Sequence, residues 1–201
     1  VWTVLLDNMT GDADYAGLDP SDVAVVNIDD DSAGFIVSAA SGKTDENGGT
    51  ATFTVRLASK PSDDVTITLT SSDSGEGEVL SDNLSFSTEN WNADQLVRVR
   101  GVDDNESDGD QSYRIVLGAD NTTADTSGYK GLDPSDVVLQ NTDDDSAGFN
   151  VSSVSRDTEE YGQTALFSIW LRSQPSDNVT LSFTSSDEGE GRVSPLSWTF
   201  T

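Results

Sequence analysis

Apolar and polar residues alternate along most of the chain, with the two-residue period of a half-buried strand. Thr52-Phe53-Thr54-Val55-Arg56-Leu57 alternates without a break, and so does Val65-Thr66-Ile67-Thr68-Leu69-Thr70. Leu96-Val97-Arg98-Val99-Arg100 follows a turn at Glu89-Asn90-Trp91-Asn92. The pattern predicts seven strands between residues 34 and 141: A near 34–38, B 50–58, C 65–70, D 79–86, E 95–102, F 112–118 and G 136–141. No stretch carries the 3.6-residue period of an amphipathic helix. Seven short strands separated by turn residues predict an all-β fold, an antiparallel β-sandwich of immunoglobulin-like type. The Cys…Trp…Cys signature of antibody domains is missing, because the chain has no cysteine, so the expectation concerns architecture alone.

The same pattern recurs without gaps at a spacing of 114 residues. Ser32-Ala33-Gly34-Phe35 returns as Ser146-Ala147-Gly148-Phe149, and Pro61-Ser62-Asp63 as Pro175-Ser176-Asp177. Thr70-Ser71-Ser72-Asp73 returns as Thr184-Ser185-Ser186-Asp187, and Gly75-Glu76-Gly77 as Gly189-Glu190-Gly191. Residues 32–87 and 146–201 share 29 identities in 56 positions. Upstream, Gly17-Leu18-Asp19-Pro20-Ser21-Asp22-Val23 matches the segment from Gly131 to Val137. A fixed long period is the mark of a tandem array. Three parts are therefore expected: the C-terminal part of one repeat at 1–31, a complete repeat at 32–145, and the N-terminal half of the next at 146–201. That phase predicts a longer array.

Charge changes the picture. The net charge is −27, from 37 acidic and 10 basic residues. Nucleic acid is excluded as a default partner, since phosphate binding needs a basic face, and an anionic membrane surface is disfavoured likewise. No apolar run reaches the length of a membrane span. Without Cys or His the chain lacks the usual zinc ligands, thiolate chemistry, disulfides and the commonest general base. About a third of the residues are hydrophobic, enough to form a core despite the acidity.

In a sandwich whose successive strands reverse direction, the A–B, C–D and E–F loops share one end with the finish of strand G. The A–B loop carries Asp45 and Glu46, and the C–D loop carries Asp73, Glu76 and Glu78. The E–F loop is Asp103-Asp104-Asn105-Glu106-Ser107-Asp108-Gly109-Asp110, and strand G runs into Asp143-Asp144-Asp145. Four acidic segments distant in sequence should meet there, and their repulsion calls for a cation. Oxygen ligands on irregular loops suit calcium, which accepts six to eight oxygens; magnesium ranks second because it demands stricter geometry. The alternative is a solvated acidic rim. Asp103–Asp110 resembles the start of an EF-hand loop, but Asp108 stands where that motif needs Gly, and Arg114 occupies its twelfth position.

The set of acidic motifs resembles the Calx-beta family and its relatives in long bacterial surface proteins. It is carried by Thr44-Asp45-Glu46-Asn47-Gly48, by Ser71-Ser72-Asp73, by Val102 through Asp110, and by Asn141-Thr142-Asp143-Asp144-Asp145. Phe86-Ser87-Thr88-Glu89-Asn90-Trp91-Asn92 and Tyr129-Lys130-Gly131-Leu132-Asp133-Pro134 are similar to repeats of giant adhesins. The resemblance implies calcium at the end of the sandwich where the chain passes to its neighbour. It carries the ligand role to Glu46, Asp73, Asp103, Asp104, Asp108, Asp143, Asp144 and Asp145. In the partial repeats it carries that role to Asp29, Asp30 and Asp31, and to Glu160 and Asp187. Asn105 stands where the family often has Asp, and Gln111 where it often has Glu, which lowers the ligand charge.

The function so implied is structural. Calcium-binding repeats would act as a stiffened spacer of an extracellular or cell-surface adhesin or filament, because Asp29–Asp31 and Asp143–Asp145 are also the linkers between repeats. The expected partners are neighbouring repeats of the same chain and, in a filament, other copies; any distal ligand is unknown. Two further classes compete: a module that binds glycan or protein, and a calcium-sensing regulatory domain. An enzyme is not expected, since catalytic sites rarely recur in each repeat. The Asp133-Pro134 loop and its earlier copy read as a turn into strand G, or as a surface that packs on the previous repeat or binds a ligand. Trp91 and Trp198 read as packing residues or as sugar-stacking ones. Asn83, Asn121 and Asn178 open Asn-x-Ser/Thr triplets that a chain rich in these residues produces by chance.

Overall fold

The computed structural model of the protein describes residues 1–6, 11–119, 126 and 128–201. All regular elements among them are strands. The chain falls into two compact units, Val1–Ser32 and Ala33–Thr201. The first unit is a two-stranded antiparallel ribbon of β1 (Trp2–Val4) and β2 (Val23–Val25), in register Trp2↔Val25. The expected boundary at 145/146 falls inside the second unit.

The second unit begins with β3 (Phe35–Val37), β4 (Thr44–Asp45), β5 (Thr50–Leu57) and β6 (Val65–Ser71). It continues with β7 (Gly77–Val79), β8 (Leu84–Phe86), β9 (Gln95–Gly101), β10 (Gln111–Ala119) and β11 (Val137–Thr142). These nine strands form two sheets, in the order β3-β5-β9-β7 and β4-β11-β10-β6-β8. All their pairings are antiparallel except the parallel pair β4–β11. The alternation read from the sequence is the burial pattern: in β5, Ala51, Phe53, Val55 and Leu57 are buried while the residues between them are not. Each β-branched or aromatic inward residue removes apolar surface from water, which is the main force holding the sheets together. Phe53 and Val97 from one sheet meet Ile67, Phe86, Ile115 and Leu117 from the other in one core, giving a β-sandwich-like architecture.

One expected strand divides between the sheets, and a short strand forms in the expected A–B loop. Segment 79–86, read as one strand D, is β7 paired to β9 and β8 paired to β6. The crossing is held by side chains that replace ladder bonds: Ser81 Oγ accepts the Arg98 N–H at 2.9 Å, and Asn83 Oδ1 accepts that of Leu69 at 3.3 Å. The expected A–B loop contains β4, which joins the second sheet by pairing with β11, Asn141↔Thr44 and Thr142↔Asp45. This pairing brings the A–B turn to the end of β11.

The Tyr129 ring is buried and meets Phe35 edge-on at 5.6 Å. Its hydroxyl donates to Ser59 O at 2.7 Å and accepts the Ser59 N–H at 2.9 Å. The loop leading into β11 is thereby tied to the core. Trp91 packs partly buried against the core, in the packing role, whereas Trp198 is 57% exposed. The triplet opened by Asn121 lies outside the described residues.

The remaining strands are β12 (Phe149–Val151), β13 (Ile169–Leu171), β14 (Val179–Ser182) and β15 (Ser197–Phe200). They form two antiparallel pairs. Phe149↔Leu171 and Val179↔Phe200 are the pairs Phe35↔Leu57 and Val65↔Phe86 displaced by the period of the sequence. Phe149, Phe167 and Trp198 are exposed, whereas Phe53 and Leu84, the counterparts of the latter two in the earlier copy, are buried.

Candidate metal centre

The parallel pairing of β4 with β11 makes two chain segments leave the sandwich side by side. One carries Glu46; the other carries Asp143, Asp144 and Asp145. The pairing is anchored below by Thr44, which is buried with its hydroxyl 2.9 Å from that of Tyr113. It is extended above by the Glu46 N–H, which donates to Thr142 O at 3.2 Å. The Asp144 N–H then donates to Glu46 Oε2 at 3.0 Å, across 98 residues of sequence.

The loop after β9 closes on this pair. Gly101 abuts β4 so tightly that a Cβ there would lie 2.1 Å from Asp45 O, so only glycine lets the strands approach. Asn141 Nδ2 donates to Val102 O at 2.9 Å, and the Gly109 N–H donates to Asp143 Oδ2 at 2.7 Å. Between these ties the loop turns at Asp104, whose Oδ1 accepts the Glu106 N–H at 2.7 Å.

Carboxylate oxygens of Glu46, Asp103 and Asp144 thereby lie within 4.8 Å of one another, and so do those of Glu46, Asp143 and Asp145. Glu46 belongs to both groups and is the buried member, 5% exposed. Burial pushes its carboxyl above the usual glutamate range, and the charges of Asp104, Asp143 and Asp144 push the same way, against the Asp144 N–H bond. Asp145 is raised by desolvation and then by Asp144, Asp143, Asp103 and Asp104. All donors are oxygens, which fit a hard cation, and this cluster could hold a metal ion.

Glu76 is a neighbour that was not carried over as a ligand. It is partly buried, with Oε2 3.4 Å from Asn141 Nδ2. Burial raises its carboxyl, and Asp108, Asp104 and Asp73 add to the rise. Asp73 and Asp108 thus act on Glu76, and Asp104 acts on both glutamates. Asn141 is the second residue not singled out. It is 1% exposed, and its Oδ1 has no hydrogen-bond partner among the described residues. Its sequence signal was a polar side chain in the inward phase of strand G, two positions after Leu139. That of Glu76 was its place in the repeated Gly-Glu-Gly motif. Gly77 of that motif packs on the Tyr113 ring, where a Cβ would come within 2.1 Å.

The other expected ligands belong to neither group. Asp29, Asp30 and Asp31 are exposed in the first unit, where Asp29 Oδ1 accepts the Asp31 N–H at 3.2 Å. Glu160 is exposed in a turn bounded by the Glu159↔Gln163 bridge. Asp187 is exposed and caps its own loop, accepting the Gly189 N–H at 2.9 Å as Asp73 accepts that of Gly75 at 3.0 Å. Searches for related proteins give no matching family model and no matching curated sequence.

Proposed function

We propose that the chain is part of a tandem array of immunoglobulin-like, Calx-beta-like repeats that bind calcium at their acidic ends and serve as an extracellular spacer. The observation that carries this reading is that Glu46 stands within 4.8 Å of carboxylate oxygens in two groups, one with Asp103 and Asp144 and one with Asp143 and Asp145. Calcium is the ion of choice because the donors are hard, numerous and mounted on loops rather than on a rigid frame. The cluster adjoins Ser146, where the sequence period begins again, so a bound ion would also restrain the passage into the next repeat. The recurrence of strand register between the two copies supports the array.

Extracellular calcium modules bind at ~0.1–1 mM, and occupancy at ~100 times the dissociation constant adds about 2.7 kcal/mol to stability. Thermal melts of the chain in EDTA, in ~1 mM calcium and in ~1 mM magnesium test the reading. Calcium should raise the midpoint and magnesium should raise it less. A midpoint indifferent to calcium would leave a solvated acidic rim and sink the proposal.

A further inference from the structure

The loop that supplies Asp103 and Asp104 also touches the chain beyond the sequence period. Gln174, just after β13, donates its main-chain N–H to Asn105 O. Glu106 and Gln174 form a parallel β-bridge, and the Gln174 side-chain amide lies 3.4 Å from Glu106 Oε1. The contact sits beside a cleft lined by Ser107, Gly148, Ser173 and Pro175.

We propose that Asn105–Glu106 and Gln174 form a latch through which cation binding sets the orientation of the segment after 145. The inference rests on the metal reading above and names how that site would act on its neighbour. Its basis is one three-residue turn with two faces. On one face Asp103, which leads into the turn, has a carboxylate oxygen within 4.8 Å of those of Glu46 and Asp144, and the Asp104 carboxylate after it is held by the Glu106 N–H. On the other face the next peptide carbonyl, Asn105 O, accepts the Gln174 N–H. A cation that fixes Asp103 therefore restrains the turn whose Asn105 carbonyl Gln174 reads. By reciprocity, a closed latch tightens cation binding by the same factor. Val102 and Gly109 are tied to the sandwich by Asn141 and Asp143, and the latch lies between these two ties. Gln174 is a positioning residue, not a ligand.

The chain has no cysteine, so Asp82→Cys with Arg192→Cys gives one spin-labelled pair spanning the latch. The test compares distance distributions by electron–electron resonance, with and without calcium, in the parent pair and in Gln174→Pro, which removes the N–H. A second variant, Glu106→Ala, removes the side-chain contact and keeps the backbone. The parent should narrow on adding calcium. Gln174→Pro should remain broad while still taking up calcium, several-fold more weakly, and Glu106→Ala should fall between. Equal narrowing in parent and Gln174→Pro would overturn the latch. If the parent binds no calcium, the metal reading fails by itself. The latch is then judged in EDTA, where a broader distribution in Gln174→Pro supports it and an unchanged one overturns it.

Discussion

Replacing Glu46 by glutamine keeps the side chain's size and an acceptor for the Asp144 N–H, and removes one negative charge from the centre of the acidic cluster. Four other carboxylates, those of Asp103, Asp143, Asp144 and Asp145, lie within 4.8 Å of that of Glu46. At this distance each pair of charges opposes by about 0.9 kcal/mol in bulk water and by about 3.5 kcal/mol at an effective dielectric of about 20. Solvent weakens this repulsion for the exposed members, but even a part of it is large beside the whole stability of a domain, about 5–15 kcal/mol. The cluster therefore takes up a proton or a cation, or yields in geometry. With salt screening and the exposure of its outer members, Glu46→Gln should stabilise the cation-free protein by about 1–3 kcal/mol. That is a rise of roughly 4–12 °C in the melting midpoint for a domain of this size. In calcium the gain should be offset, because on the proposed reading the variant lacks one anionic ligand: the increment given by ~1 mM calcium should shrink. The assay is a pair of calorimetric melts of each protein, in EDTA and in calcium. A lower midpoint for Glu46→Gln in EDTA would refute the electrostatic reasoning, and an undiminished calcium increment would remove Glu46 from the ligand set.

Gly101→Ala places a Cβ 2.1 Å from Asp45 O and 2.4 Å from Asn141 Oδ1, both fixed by the β4–β11 pairing. It should cost about 1–3 kcal/mol and weaken calcium uptake, read as a lower urea midpoint with the slope unchanged; an unaltered midpoint would mean that the contact relaxes freely. Tyr129→Phe leaves the Ser59 N–H without its buried acceptor and should cost about 1–3 kcal/mol in the same assay, with no change in the calcium increment. The raised carboxyls of Glu46 and Glu76 give a pH dependence of defined sign. Their folded-state values lie above the ordinary 4.5, so their contribution to stability is full below 4.5 and is lost as pH rises through the raised values. In EDTA the protein should thus gain stability from these two groups on mild acidification, and calcium should suppress the gain by competing with the proton. Melts at stepped pH test this, and a pH profile identical with and without calcium would contradict it.

The hydrophobic alternation by itself determined which residues of β5, β6, β9, β10 and β11 face inward, because a strand's side chains obey a strict two-residue period and an inward charge has no partner there. It also determined the duplication, since position 146 onward repeats the pattern from 32. The acidic loops were legible as a group for a similar reason: reversing strands return every second loop to the same end. The sequence did not determine that residues 79–86 divide between two sheets, nor that the A–B loop forms β4 against β11. Those pairings depend on which neighbour offers an open edge, and each is sealed by side-chain bonds from Ser81, Asn83 and Thr44 that carry no periodic signal. The consequence for the site is direct. Glu46 is a central ligand candidate because β4 runs parallel to β11, whereas Glu160, its counterpart in the later copy, has the same kind of residue and an exposed position. Residue type set which atoms could meet a cation; the parallel β4–β11 pair, made possible by the missing Cβ of Gly101, decided which of them stand within 4.8 Å of each other.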